Sequence, residues 1–205
     1  VLLSRAWNLG GICGLLLLAL ACGSRRSAPL PAFALQPDQW TTPPTWVVTA
    51  GQFIAGLEDN DPAISRAQTP RDFQLRAKIR ITEGMDNINA GVLFDYQPDT
   101  QDMWAVSLCP AGGTEYNKEP QIKIYALQDK RALYPFAAPF PIEVNREHLV
   151  EMTVIQQRIV VKVDGKPAAD FTMPLPRRPG HIGLTHIQAS AQFSDLVVTP
   201  APQVE

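Results

Sequence analysis

Residues 73–81 read FQLRAKIRI, and their pattern decides the fold. Phe73, Leu75, Ala77, Ile79 and Ile81 take every second position, with Gln74, Arg76, Lys78 and Arg80 between them. Successive side chains of an extended chain point to opposite faces, so this alternation describes a strand with one face in a core and one in water. A helix would need apolar residues three and four apart between a cap and a stop, and no stretch sustains that. Strand patterns recur outward from residue 73: GVLFDYQ (91–97), MWAVSLC (103–109) and QIKIYAL (121–127). HLVEMTVIQQRIVVKVDGKPAADF (148–171) reads as three short strands turning at Gln156-Gln157 and at Asp164-Gly165, a pair suited to the positive φ angles of a tight hairpin. PGHIGLTHIQASAQFSDLVV (179–198) reads as a last hairpin turning at Gln188-Ala189-Ser190, useful mainly if its strands complete two sheets. Many short antiparallel strands with turn chemistry between them imply an all-β, two-sheet sandwich or barrel.

Composition narrows the rest. The 205 residues carry a net charge of −2 with mixed signs throughout and no basic stripe, which argues against a nucleic-acid partner. Nineteen prolines are many, and the clusters at 29–44, 135–141 and 174–179 read as linker and loop material. Residues 9–21 form an uncharged, largely apolar run after Arg5. A run of ~13 residues is short of the ~20 that a bilayer crossing needs, but it matches the apolar region of a secretory signal. Ala19-x-Ala21 fits signal peptidase, whereas Cys22 directly after Leu-Ala-Leu-Ala resembles a bacterial lipobox, with Ala19 where leucine is usual. The favoured reading makes Cys22 a lipidated first residue. The expected organisation is a signal over 1–22, a Pro/Ser/Ala-rich tether over 23–39, a sandwich over 40–200 and a tail over 201–205. The protein is then expected to be exported to the bacterial cell envelope, facing the periplasm or lying at the outer membrane. Cys13 would leave with the signal, so Cys109 is expected to be a buried small hydrophobe.

The order of motifs resembles the concanavalin A-like jelly roll, in the branch of laminin-G-like and 3-keto-disaccharide hydrolase domains. Trp46, Val48 and Gly51 in TWVVTAGQFIAG resemble that family's opening strand, and Asp72, Phe73 and Leu75 its next one. Residues 89–94 (NAGVLF) are similar to its N-S-G segment, residues 148–165 to its W…D-G hairpin, and GHIGL…FSDLVV to its closing signature. The resemblance implies a two-sheet antiparallel jelly-roll sandwich. Two departures weaken a transfer of hydrolase activity: Asp95 stands where an arginine commonly follows the phenylalanine, and Thr185 where a glutamine follows G-x-I-G-L. The E-x-D-x-x-E triplet of glucanase relatives is missing from the sequence.

A jelly roll offers the outward face of its curved sheet as a groove. If Phe94, Val106, Ile122 and Ile124 face the core, alternation turns Asp95, Ser107, Lys123 and Tyr125 outward, with Asn89 and Trp104 near strand ends as a rim. A sugar ring needs an aromatic face for its apolar side and fixed donors and acceptors for its hydroxyls. These six residues are therefore the candidate carbohydrate contacts of a non-catalytic binding module, and no cofactor is expected. The alternatives are a glycoside hydrolase working through groove acids such as Asp95 and Glu83, or a structural envelope protein. Residues 58–62, EDNDP, are acid-rich enough to supply some ligands of a calcium site. His148, His181 and His186 have no metal-ligand spacing and read as structural, and Arg177-Arg178 as an exposed loop.

Overall fold

The computed structural model describes residues 33–49, 51–57, 60–112 and 118–202. Thirteen strands run β1 (Phe33–Ala34), β2 (Trp40–Thr41), β3 (Val47–Thr49), β4 (Gln52–Ala55), β5 (Ala63–Gln68), β6 (Phe73–Tyr96), β7 (Met103–Cys109), β8 (Gln121–Gln128), β9 (Arg131–Pro139), β10 (Glu147–Ile155), β11 (Arg158–Val163), β12 (Lys166–Thr172) and β13 (His181–Pro200). One helical turn, Pro37–Gln39, precedes β2. Every pairing is antiparallel.

The architecture turns on β6 and β13, of 24 and 20 residues, which pair along nearly their whole length. The first half of β6 and the second half of β13 lie in one sheet, ordered β12-β11-β10-β6-β13-β4-β3. Their other halves lie in a second sheet, ordered β9-β8-β7-β6-β13-β5-β2. The two sheets pack face to face as a jelly-roll sandwich, and both long strands bend from one into the other near residues 84–89 and 187–191. Register shifts after Ile187 and Ser190 mark the corner, where Gln188 sits at φ 49°. A side chain at Gly84 would strike Ile88 and come within 2.9 Å of the Gln188 carbonyl, so glycine lets the strands cross closely. Asn60 Oδ1 accepts the Gln188 N–H (3.0 Å), and Gln188 Oε1 accepts the Asn87 N–H (2.9 Å).

This corrects the sequence reading of residues 179–198. The turn chemistry at 188–190 is real, but it serves a bulge rather than a reversal, and one strand contributes to both sheets. Other hairpins form where expected: Ile155 pairs with Arg158 across Gln156 (φ 51°), and Val163 with Lys166 across Asp164-Gly165 (φ 52° and 73°). Residues 33–39, expected as tether, belong to the folded domain instead. Phe33 pairs with Val198, and Leu35 is buried. The proline cluster near 135 also departs from expectation: it lies in β9, the outermost strand of its sheet, where a missing N–H interrupts little.

Between the sheets lies one core in which Phe53, Phe73, Phe94 and Phe193 are fully buried. Trp46 stacks on Phe193 (centroids 5.7 Å apart), and Trp40 meets Phe53 edge-on (5.4 Å). Each histidine serves the frame, as expected. His148 Nδ1 donates to Asp164 (2.9 Å) while its Nε2 accepts the Glu143 N–H (3.1 Å). His181 and His186 donate to the carbonyls of Ser65 and Ala189.

Candidate functional site

Alternation works as the sequence suggests along β6, β7 and β8. Val92, Phe94, Trp104, Val106, Leu108, Ile122 and Ile124 fill the core, and the residues between them face outward. The register sets Ser107 opposite both Gly91 and Lys123, with Thr185 beside Gly91 and Ile187 beside Asn89. Together these rungs floor a groove of about 370 Å³. Asn87, Asn89, Ser107, Gln121 and Lys123 supply its polar groups; Tyr125, Tyr134, Ala137 and Ile187 supply apolar surface. That volume lies at the small end of the ~300–1,000 Å³ found for ligand sites.

Tyr125 and Tyr134 meet on β8 and β9 with ring centroids 5.6 Å apart and planes tilted by 38°. Tyr125 is nearly covered, packed on Leu93 and Ala105 with Ile64, Tyr96 and Met103 beside them. Of this apolar cluster, Tyr125 reaches the groove lining. Tyr134 is 65% exposed. Burial pushes the Tyr125 hydroxyl up to about 12, against the pull of nearby Ser107 and Thr185. Cys109, also in the lining, is a free thiol pushed up to about 12 by burial, its S–H directed to the Ser107 carbonyl (3.8 Å). It is the inert small hydrophobe expected.

Two floor atoms stand out: Asn89 Oδ1 and Ser107 Oγ are shut off from water, and Asn89 Oδ1 has no hydrogen-bond partner among the described residues. The Tyr125 hydroxyl is the hydrogen-bonding neighbour of Ser107 Oγ, a contact that pulls the Tyr125 hydroxyl down against the effect of burial. Buried polar atoms are nearly always paired, because leaving one unpaired costs about 1–3 kcal/mol. Asn89 Nδ2 makes a long contact to the Asn87 carbonyl (3.4 Å), which leaves the acceptor side of the amide unused.

Of the six candidate contacts, the structure brings Asn89, Ser107, Lys123 and Tyr125 together and places two elsewhere. Trp104 is a core residue, because period two turns it inward beside Phe94. Asp95 is twisted out of the alternation by its φ of 55° and buried in a two-pronged ion pair with Arg177 (2.7 and 2.9 Å). The Arg177 guanidinium lies over Phe73 and Phe94 and also donates to the carbonyls of Arg71 and Gln156. Arg177 is therefore a buried anchor, and the expectation of an exposed loop fails for it. Burial pushes the Asp95 carboxyl up, opposed by Arg177. Glu83 lies apart from the groove, accepting from Ser190 Oγ (3.4 Å). Sequence reasoning missed Tyr134, Gln121 and Asn87. Tyr134 was hidden by its proline-rich surroundings, although the tyrosines of neighbouring strands were the available signal.

No group of three metal-ligating side chains occurs among the described residues. Glu58 and Asp59 of the expected calcium loop lie outside them, as does Cys22; Asn60 is occupied in capping Gln188.

Residues 34–199 match the model of the 3-keto-alpha-glucoside-1,2-lyase-like domain. The chain belongs to this family. Among solved structures, carbohydrate binding module CBM66 from Bacillus subtilis is similar at 19% identity and TM-score 0.63, over 78% of this chain and 95% of that one. The Bacillus licheniformis beta-glucanase is similar at 11% identity and TM-score 0.57, over 77% and 83%. A Bacillus subtilis protein of unknown function with a galectin-like fold is similar at 10% identity and TM-score 0.63, over 87% and 98%. At these identities the likeness is one of fold, and it is the concanavalin A-like fold that the motifs resemble. No curated protein matches the chain.

Proposed function

We propose that this family member is a carbohydrate- or glycoconjugate-binding module, held at the cell envelope by a lipid on Cys22, with its ligand in the groove across β6, β7, β8 and β13. The observation that carries this is the tyrosine pair set beside a floor of amide, hydroxyl and amine groups. One face of a sugar ring is apolar and its rim is hydroxylated, and the groove offers a counterpart to each. Both the family description and the CBM66 likeness support a glycan as the ligand.

Tyr134 gives the cleaner test, because Tyr125 is also packing. Tyr134→Ala should lower retention on a glycan array or affinity gel about five- to twelvefold, the scale of losing an aromatic contact of about 1–1.5 kcal/mol. Its melting temperature should stay near that of the wild type. Unchanged retention would remove the platform from the argument. The anchor is tested by Cys22→Ala, which should move the full-length protein from the membrane fraction to the soluble one.

A catalytic reading is favoured by the family's description as lyase-like. Against it, no carboxylate occurs among the described residues that line the groove, and Asp95 is engaged by Arg177. Product formation from an α-glucoside oxidised at C3 would reinstate it.

A further inference from the structure

The outer face of the other sheet carries a second hollow of about 390 Å³, no smaller than the tyrosine-lined groove. We propose that this trough is a second carbohydrate site, taking an uncharged, hydroxyl-rich glycan by hydrogen bonding without stacking. One module then holds two glycan chains, on opposite faces of the sandwich. The proposal rests on the carbohydrate reading above and extends it to a different surface.

Alternation builds the trough as it builds the groove. Leu75, Met152 and Val161 point into the core, and the residues between them turn outward in two rungs. On one rung Arg76 of β6, Glu151 of β10 and Lys162 of β11 stand in direct cross-strand register. On the other stand Thr199 of β13, Gln74 of β6 and Thr153 of β10. Irregularities flank the trough on both sides. The register shifts between Ser194 and Val197 on β13, where Asp195 has a φ of 49°, and between Val161 and Lys162 where β11 meets β12. Bulges bend their strand and re-aim its side chains, which hollows a face that would otherwise be flat.

The order of charges decides the ligand class. Glu151 has a cation on either side, yet no ion pair closes on it among the described residues. On the same face Lys78 is paired with Glu147 and Asp195, and Arg158 with Asp170. Donor, acceptor and donor therefore follow one another across three strands, a width of about 10 Å. A sugar hydroxyl is at once donor and acceptor, so it can donate to Glu151 while accepting from Arg76 or Lys162. Bonds to charged groups of this kind are about twice as strong as neutral ones. The amide and hydroxyl groups of the second rung serve both roles as well. A carboxylate in the middle of the trough repels phosphate or sulfate, which favours a neutral sugar. No aromatic ring is among the described residues that line it, so hydroxyl pattern rather than ring face sets its preference.

The test is a titration with maltohexaose followed by protein NMR, with inorganic phosphate as the control. In the wild type two separate sets of resonances should move and saturate, one around Tyr134 and Lys123, the other around Arg76 and Thr153. Glu151→Ala should weaken the second set about tenfold or more, the scale of a lost hydrogen bond to a charged group. It should leave the first set and the melting temperature unchanged, because Glu151 holds nothing in the frame. Tyr134→Ala should do the reverse. Movement around Tyr134 alone would overturn the second site and leave the groove standing. Movement around Arg76 alone would leave the trough standing and remove the groove as a sugar site. Silence at both would take down the module and its second site together. A trough that answers phosphate but not maltohexaose would be an anion site, and the proposal would fall.

Discussion

Asp95 and Arg177 show how one charged residue can be misplaced by a correct rule. Strict alternation sends Asp95 outward, yet its positive φ turns the carboxylate toward a guanidinium from the proline-rich loop after β12. Both side chains are almost wholly buried. Removing one partner from such a pair strands the other, at about 3–5 kcal/mol, whereas replacing both by apolar residues of similar size is often neutral. Asp95→Ala should therefore lower the urea midpoint sharply, and the double variant Asp95→Leu/Arg177→Met should recover most of the loss. Equal losses in both would mean that packing, not charge, holds the loop.

Asp164 belongs to the same scale. Burial alone pushes its carboxyl up, but the Leu149 N–H, His148 and Arg146 outweigh burial and hold it below the usual carboxylate range. A carboxyl depressed on folding adds stability above its unfolded pKa of ~3.9 and loses it as pH falls through the lower folded value. Stability should decline below about pH 4, and Asp164→Asn should flatten that decline in denaturation series run down the acid range. An equally steep limb in the variant would place the titrating group elsewhere.

At the scale of elements, the corner between the sheets is the sensitive point. Gly84 faces Ile88 and the Gln188 carbonyl at distances no Cβ tolerates, and a backbone oxygen cannot swing aside as a side chain can. Gly84→Ala should cost about 1–3 kcal/mol by overpacking, read as a lower thermal midpoint. An unchanged midpoint would show that the corner relaxes freely. This corner also marks where a single sequence is ambiguous. Gln188-Ala189-Ser190 carries turn chemistry, and a bulge uses the same left-handed backbone geometry as a hairpin. Only the partner strand tells them apart, and Ile187 and Ala189 find Asn89 and Gly84 about a hundred residues away. Strands with clean alternation, such as residues 73–81 and 148–163, were legible because the local pattern and the burial agree. β9 was not, since its prolines argue against a strand everywhere except at a sheet edge.

At the scale of the molecule, the sandwich was legible and the complete site was not. Period two states which residues share a face, so Asn89, Ser107, Lys123 and Tyr125 could be grouped before their strands were paired. It says nothing about where an irregular loop returns, which is why Arg177 arriving at Asp95 was invisible. The placement of Phe33 beside Val198 carries a practical corollary. The first and last described strands lie side by side on one sheet, while the tyrosine-lined groove opens on the other. A coupling group attached next to Phe33 or Pro200 therefore sits on the sheet turned away from the groove.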